Sequence, residues 1–206
     1  MGPERIFLLS PANIAGIRAK LLLNPNAKGA LAQRLRAEGA ALGEVFSFIS
    51  GLYFRGKLAY ARAFAAPRPG VPGNLVITAG GGLVPPETIV TLNRLQEISA
   101  ADVDLNDARY CEPLVRDARI LAGIAGPECQ VVLLGSIASS KYLSPLLTIF
   151  GERLCFPKEF IGRGDLSRGG LMLRCVRAGV QLAYVPVAET PRHGPRPPRL
   201  GPPTPC

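Results

Sequence analysis

The stretch Arg5-Ile6-Phe7-Leu8-Leu9-Ser10, near the start of the 206-residue chain, decides the fold prediction. Its apolar residues are continuous rather than alternating, which is typical of a strand buried on both faces of a parallel sheet. The Ser10–Pro11 pair then ends the apolar run,. A strand of this kind has to be covered by helices, so we expect strands and helices to alternate along the rest of the chain.

The rest of the sequence has that alternation. We predict further strands over residues 44–49, 74–78, 130–134, 153–156 and 181–185, and helices over residues 27–38, 52–64, 86–98, 110–124, 141–150 and 166–178. The second of the continuous apolar runs, residues 130–134, has the character of the first. The pattern predicts a single α/β domain over residues 1–185, a three-layer doubly wound (Rossmann-like) fold with a mainly parallel sheet.

The C-terminal segment, residues 186–206, has a different composition, with eight prolines and three arginines. Such a segment buries little apolar surface, so we expect a disordered or extended tail outside the domain. The only histidine of the chain, His193, lies in this segment. We therefore expect any chemistry of the domain to proceed without an imidazole group.

Membrane and redox signals are weak in this sequence. The first apolar run is too short for a signal peptide. The longest stretch without charge, residues 69–86, contains four prolines and five glycines, so it cannot cross a bilayer as a helix,. The five cysteines form no Cys-x-x-Cys pair. We expect a cytoplasmic protein with no membrane partner, whose cysteines are reduced thiols.

Polar and glycine-rich turns come after several of the predicted strands. Ligands of open parallel sheets bind outside the carboxyl ends of the strands, so we expect these turns to form a site together. Glycines let backbone N–H groups approach a ligand, and helix N-termini, hydroxyls and basic side chains complete a cradle for phosphate or carboxylate. The candidate ligand-binding residues are Ser10, Asn13, Tyr53, Arg55, Gly81, Gly135, Ser136, Lys141, Arg163 and Arg168.

The loop over residues 162–170 is rich in arginine and glycine and leads into a predicted helix. One interpretation makes Asp165 the catalytic acid/base, acting on a hydroxyl or a nucleophilic water, with Arg163 and Arg168 on an anionic ligand. The alternative makes Asp165 the N-cap of the helix, paired with either arginine. Both interpretations stay open at the level of the sequence.

Known motifs are absent or incomplete. The spacing from Gly51 to Lys57 is that of a phosphate loop, but Leu58 stands where the Mg²⁺-binding hydroxyl belongs,. The acidic run over residues 102–107 lacks the glycine and the glutamate of a calcium loop,. Neither a Gly-x-Ser-x-Gly elbow nor a Gly-x-Gly-x-x-Gly turn after the first strand occurs,. The cofactor is therefore unknown, and no metal ligand is assigned.

The charge of the chain is basic and unevenly distributed. The formal net charge is +9, and residues 45–86 and 166–188 contain no acidic residue. These segments include several of the candidate site loops, which favours a phosphate-bearing ligand or a nucleic acid. Solvated helix faces are the alternative explanation for Arg62, Arg174 and Arg177.

Several short motifs between residues 50 and 146 carry a resemblance to a known family. They are Tyr53-Phe54-Arg55 in a helix, Gly82-Leu83-Val84-Pro85-Pro86 after a strand, and a later strand that ends at Gly135. The segment resembles a broad bacterial α/β family that is similar to the uracil-DNA-glycosylase-like N-terminal domain of archaeosine-synthase relatives. This resemblance implies the α/β fold. The catalytic histidine of the glycosylases has no counterpart in the matching segment.

The sequence therefore predicts a protein that binds a nucleotide, a nucleoside or a modified base. An enzyme acting on a nucleobase or on a phosphate-bearing ligand is one form of this hypothesis. A second hypothesis is a non-catalytic nucleic-acid-binding module that uses the basic segments. A third is an interaction protein whose proline-rich tail binds another domain. The oligomeric state stays open.

Overall fold

The computed structural model describes residues 3–98, 103–137, 141–191, 193–198 and 200–201. The first half of the chain forms β1 (Arg5–Leu9), α1 (Ile17–Leu23), α2 (Ala30–Ala37), β2 (Ala40–Ala41), α3 (Leu42–Ser50), α4 (Leu52–Phe64), β3 (Asn74–Thr78), β4 (Gly82–Val84) and β5 (Ile89–Val90). The second half forms α5 (Leu92–Glu97), α6 (Ala108–Ala125), β6 (Gln130–Leu134), α7 (Leu143–Phe150), β7 (Leu154–Pro157), α8 (Asp165–Ala178) and β8 (Tyr184–Pro186).

The main sheet has six strands in the order β4-β3-β1-β6-β7-β8. Its four inner strands, β3, β1, β6 and β7, are parallel, and β4 and β8 join antiparallel at the two edges. All five residues of β1 are buried, as its continuous apolar sequence predicts,. The structure thus confirms an α/β fold with a mostly parallel sheet.

The order of the parallel strands reverses at β1. The chain passes from β1 to β3 on one side and then crosses back to β6 on the other side. In open parallel sheets, such a topological switch point opens a crevice at the carboxyl ends of the two central strands. Leu9 pairs with Leu134 at the ends of β1 and β6, so Ser10 and Gly135 leave the sheet side by side.

Helices α4 and α8 cross at very short distance because each contributes a glycine to the crossing. A Cβ atom on Gly56 would lie 2.7 Å from the Gly169 carbonyl oxygen, and one on Gly169 would lie 2.7 Å from the Leu52 carbonyl oxygen. The contact brings the first turn of α8 onto α4. A second group of helices consists of α6 and α7, which pack on each other. None of the described helices combines the length and the apolar character needed to cross a membrane.

The strand predicted over residues 44–49 is wrong, because this segment lies within helix α3. Val45, Phe46 and Ile49 are buried at helical spacing, whereas Phe48 between them is exposed. A short apolar run does not by itself distinguish a buried strand from a buried helix, and here packing on α4 favours the helix,.

The helix predicted over residues 86–98 is shorter in the structure. Ile89 and Val90 form β5, which pairs with β2 in a separate two-stranded antiparallel ladder. Thr91 then caps α5, since its Oγ1 accepts a hydrogen bond from the Arg94 N–H at 3.2 Å. The start of the helix is therefore set by a side-chain cap rather than by Pro86.

Three further elements, two edge strands and one helix, differ from the sequence prediction. The last predicted strand, residues 181–185, is β8, which begins at Tyr184 and runs antiparallel to β7. Helix α1 and strand β4 are not predicted by the sequence pattern. Strand β4 comes directly after β3 through the turn over residues 79–81, where the glycines allow a tight reversal,.

Part of the predicted tail lies against the domain. Pro186 belongs to β8, and Val187 and Thr190 are buried. Further along, Arg163 Nη1 donates a hydrogen bond to the Pro198 carbonyl oxygen at 3.3 Å. The described residues 193–198 and 200–201 therefore include contacts to the start of α8. The disorder of residues 186–206 as a whole stays a prediction.

Candidate functional site

A buried lysine contacts the residue immediately after β1. Lys57 of α4 is 1% exposed, and its Nζ donates a hydrogen bond to the Ser10 carbonyl oxygen at 2.6 Å and to Ser10 Oγ at 2.9 Å. The same Nζ lies 4.5 Å from the centre of the Tyr53 ring and 4.9 Å from that of Phe54. The lysine thus joins α4 to the carboxyl end of β1 through hydrogen bonds, and its amine packs against the Tyr53 and Phe54 rings,.

The surroundings of Lys57 change its protonation. Burial lowers the pKa of the Lys57 amine to about 7, the Asp165 carboxylate acts against this change, and the Arg168 guanidinium adds to it. An amine taken out of water loses its charged form first, because that form is the more strongly hydrated. Near neutral pH, a large part of the Lys57 amine therefore carries no charge.

Tyr142, just before α7, completes the polar contacts of Ser10. Its Oη accepts a hydrogen bond from the Ser136 N–H at 2.9 Å and interacts with the Ser10 side chain. Gly135 permits this approach, since a Cβ atom there would lie 2.8 Å from Ser10 Cβ and 3.0 Å from Tyr142 Oη. The glycine after β6 is therefore needed for packing of the site itself.

The Tyr53 hydroxyl is buried beside the Arg168 guanidinium, but neither this neighbour nor any other described residue reaches it with the geometry of a hydrogen bond. Burial raises the pKa of this hydroxyl above its ordinary range, and the nearby Arg168 guanidinium opposes the change. A buried hydroxyl without a partner costs about 1–3 kcal/mol, so such groups are rare in native proteins. Tyr53 is thus a polar group that a ligand would satisfy.

Arg168 is held in a fixed position beside Tyr53. Its Nε and Nη2 donate hydrogen bonds to the Phe160 carbonyl oxygen at 3.2 and 3.0 Å, and its guanidinium carbon lies 5.4 Å from the centre of the Phe160 ring. Asp165 Oδ1 lies 3.9 Å from Arg168 Nη1. The close crossing of α4 and α8 brings this cation to the lysine and tyrosine of α4.

These side chains form one group, which we call the switch-point cluster. Its members surround the carboxyl end of β1, next to the end of β6, and combine a hydroxyl, an amine, a guanidinium and two phenols. The members are Ser10, Tyr53, Lys57, Tyr142 and Arg168. Chemically, the cluster offers hydrogen-bond donors for anions and carbonyl groups, together with a hydroxyl next to a base.

Asp165 stands at the edge of the switch-point cluster. It is the first residue of α8, whereas Gly164 is the N-cap and no side chain caps that helix end. The N-cap interpretation of Asp165 is therefore wrong, although its pairing with Arg168 at 3.9 Å agrees with the second part of that interpretation. The side chain is 69% exposed. The acid/base role of Asp165 stays a prediction.

The Arg163 side chain is directed away from the switch-point cluster. Its Nε donates to the Glu159 carbonyl oxygen at 2.9 Å, and its Nη1 donates to Ser167 Oγ at 3.3 Å. A groove of about 730 Å³, which we call the tail groove, is formed between the segment at the start of α8 and the C-terminal residues. It is lined by Arg163, Gly164, Asp165, Leu166, Ser167, Arg196, Pro197, Pro198 and Leu200.

Arg55 also lies apart from the switch-point cluster. It is exposed on α4 and faces a groove of about 690 Å³ between α1, α2, α3 and α4, which we call the arginine groove. Arg18 is the second cation of that groove, and its guanidinium lies against Gly51. Glu44 lines the same groove, and the structure does not bring the two arginines to the end of β1.

The remaining predicted residues have mostly local contacts. Asn13 is exposed, and its Oδ1 accepts a hydrogen bond from the Ala15 N–H at 3.0 Å, as in a common turn,. The Gly81 N–H donates to Thr78 Oγ1 at 3.0 Å within the β3–β4 turn. Lys141 is exposed and directly precedes Tyr142. Of the predicted residues, Ser10, Tyr53, Gly135, Ser136 and Arg168 come together.

Two members of the switch-point cluster, Lys57 and Tyr142, are not among the predicted site residues. Lys57 comes four residues after Tyr53 and three after Phe54, so it lies on the buried face of α4,. A lysine in that register is a signal that the sequence does carry. Tyr142 has no comparable signal, because it lies at the N-cap of α7, before the helical pattern begins.

The described residues indicate no metal centre. Among them, no group of three or more histidine, cysteine, aspartate or glutamate side chains lies close enough to hold a metal ion. Comparisons of this chain with protein-family models, with curated proteins and with solved structures find no match.

Proposed function

We propose that the chain binds a small ligand of the nucleotide, nucleoside or nucleobase class at the switch-point cluster. The observation that carries this proposal is the position of the cluster. Buried polar groups, one of them without a hydrogen-bond partner among the described residues, stand where the strand order reverses, and such a switch point is the usual ligand position in open parallel sheets,. A ligand with carbonyl or phosphate oxygens provides the acceptor that the Tyr53 hydroxyl lacks,.

A doubly wound arrangement is part of the proposal. The passage from β1 to β3 and the passage from β3 to β6 run in opposite directions across the sheet. Right-handed crossovers in opposite directions put their helices on opposite faces. The separate packing of α4 with α8 and of α6 with α7 supports this assignment. In such an arrangement the ligand position lies at the carboxyl ends of β1 and β6, beside Ser10 and Gly135,.

The basic segments give less support to a nucleic-acid interface. Two of their arginines form ion pairs with acids from other parts of the chain, Arg62 with Glu87 at 3.0 Å and Arg68 with Glu4 at 2.8 Å. Arg168 is turned inward. Part of the positive charge that the sequence concentrates in these segments is thus used within the fold, and the small-ligand hypothesis is favoured.

The experiment is a calorimetric titration of the wild type and of Tyr53→Phe with ribonucleoside monophosphates, nucleosides and free bases. Tyr53→Phe removes only the hydroxyl that lacks a partner, so we expect unchanged or slightly higher thermal stability,. A ligand that accepts a hydrogen bond from this hydroxyl should bind Tyr53→Phe about tenfold more weakly than it binds the wild type, since one hydrogen bond contributes about 1 kcal/mol or more.

Tyr60→Phe is the matched control on the same helix. The Tyr60 hydroxyl is already engaged, because it accepts from the Leu182 N–H at 2.8 Å and lies 2.6 Å from the Tyr184 hydroxyl. This variant should lose stability and keep the affinity of the wild type. The proposal fails if no compound of the panel binds the wild type, or if Tyr53→Phe binds as tightly as the wild type does.

A further inference from the structure

Ser10 and Lys57 have the geometry of a nucleophile and its base. Ser10 Oγ lies 2.9 Å from Lys57 Nζ, which is a distance for direct proton transfer,. The contact of Lys57 Nζ to the Ser10 carbonyl oxygen at 2.6 Å fixes the amine on this residue. We propose that Ser10 is a nucleophile activated by Lys57 and that the pair cleaves carboxylic esters through an acyl-serine intermediate.

The surroundings of Lys57 make it a base. A serine hydroxyl is a weak nucleophile unless an adjacent group takes its proton. Lys57 is packed by the rings of Tyr53 and Phe54 and faces the charges of Asp165 and Arg168 on α8. Burial is the largest effect on its pKa, so the free amine with its lone pair is well populated from about pH 7 upward,. No imidazole is then needed.

The reaction balances with the groups present and one water molecule. Ser10 Oγ forms a bond to the ester carbonyl carbon while its proton passes to Lys57 Nζ. The tetrahedral intermediate then breaks the bond to the alcohol oxygen, which takes the proton back from Lys57. A water molecule, deprotonated by Lys57, then attacks the acyl carbon; the bond from that carbon to Ser10 Oγ breaks, and Lys57 returns the proton to Ser10 Oγ, which leaves the carboxylic acid and free Ser10. An ester and water thus give an acid and an alcohol.

Two neighbouring residues shape the site for this reaction. Tyr142 Oη accepts from the Ser136 N–H at 2.9 Å and also interacts with the Ser10 side chain. Tyr142 is therefore a positioning residue for the nucleophile. Gly135 keeps the space beside Ser10, since a side chain there would collide with Ser10 Cβ. An uncharged carbonyl group also suits a site that is largely removed from water.

This inference uses the same cluster as the proposed function, but its test needs no nucleotide, so the two can fail separately. The experiment is the reaction of the full chain with an alkyl fluorophosphonate, followed by peptide mass spectrometry. The Ser10 oxygen replaces fluoride on phosphorus, and the proton leaves through Lys57. We expect the label on Ser10, no label at this site in Ser10→Ala, and full reactivity of Ser10 in the control Ser144→Ala, which changes an exposed serine of α7.

Lys57→Met tests the base directly. We expect labelling at least about a hundredfold slower than in the wild type, as is typical for loss of a general base. The wild-type rate should rise with pH through about 7, where Lys57 loses its proton, and the variant should lack this rise. An unlabelled Ser10, or a Lys57→Met rate equal to the wild type, would overturn the proposal. If Lys57→Met does not fold, a wild-type labelling rate that does not increase with pH near 7 would overturn the proposal equally.

Discussion

Lys57 is the residue on which the account of the site depends most. A fully buried ammonium group is costly, and here its polar partners are a carbonyl and a hydroxyl of Ser10 rather than a carboxylate,. The Asp165 carboxylate acts on it from the edge of the cluster and compensates the burial only in part. The fold thus carries a group whose charge opposes stability, as is common for functional residues.

The pH dependence of stability should reveal this group. The pKa of Lys57 is lowered in the folded state, so between about pH 7 and the ordinary lysine value of 10.5 the unfolded chain binds more protons than the folded one. Stability contributed by Lys57 therefore rises with pH in this window. The unfolding free energy of the wild type, relative to that of Lys57→Met, should therefore increase by up to about 1.4 kcal/mol per pH unit as the pH rises.

Urea unfolding of both proteins from about pH 7 to about pH 9 measures this difference. These pH values lie below the ordinary pKa of tyrosine, so tyrosine ionisation contributes little. Buried tyrosines and cysteines with raised pKa values, such as Tyr142 and Cys155, lower stability at high pH in both proteins and cancel in the comparison. A difference that does not change with pH would contradict the assignment.

At the scale of single residues, sequence pattern identifies the residue at the end of a strand better than the residues that pack beside it. Ser10 and Gly135 are predicted as site residues because each comes directly after a continuous apolar run. Lys57 and Tyr142 join them only through the packing of α4 and of the turn before α7. The predicted Arg55 and Arg163 lie in other grooves, because neighbours in sequence on a helix or loop point in different directions,.

At the scale of elements, the crossing of α4 and α8 positions the site. Gly56 and Gly169 bring the two backbones together, so Arg168, next to Gly169, reaches the aromatic residues of α4. The sequence pattern predicts both helices within one residue of their bounds, but it carries no signal for which helices pair. The error at α3 has a related cause, since its helical state depends on the neighbours that cover it,.

Gly169→Ala tests the crossing. The new Cβ would lie 2.7 Å from the Leu52 carbonyl oxygen and 2.9 Å from the Tyr53 Cα atom, so the two backbones must move apart. We expect a loss of about 1–3 kcal/mol in unfolding free energy, as for other overpacked sites.

Gly123→Ala on α6 is the control for this prediction, because a Cβ atom there meets nothing within 4 Å. It should gain up to about 1 kcal/mol from helix propensity. Urea denaturation measures both variants. Equal stabilities for the two alanine variants would show that the α4–α8 contact is looser than described.

At the scale of the whole molecule, strand order decides where a ligand can bind. Composition and alternation of elements predict an α/β domain with a mostly parallel sheet, and the structure agrees. Strand β4, the antiparallel direction of β8 and the pairing of β2 with β5 were not predictable, because short strands carry little pattern of their own and the pattern does not give strand direction. The central position of β1, between β3 and β6, emerges only from tertiary pairing and gives the molecule its switch point.

The most direct test of the central claim is hydrogen–deuterium exchange with and without the panel compound that binds most tightly. The claim is that the ligand occupies the switch-point cluster. We therefore expect ligand-induced protection of the described residues after β1 and β6, residues 10–16, 135–137 and 141–142,. Protection confined to the tail groove or to the arginine groove, with no change in these two segments, would contradict the account.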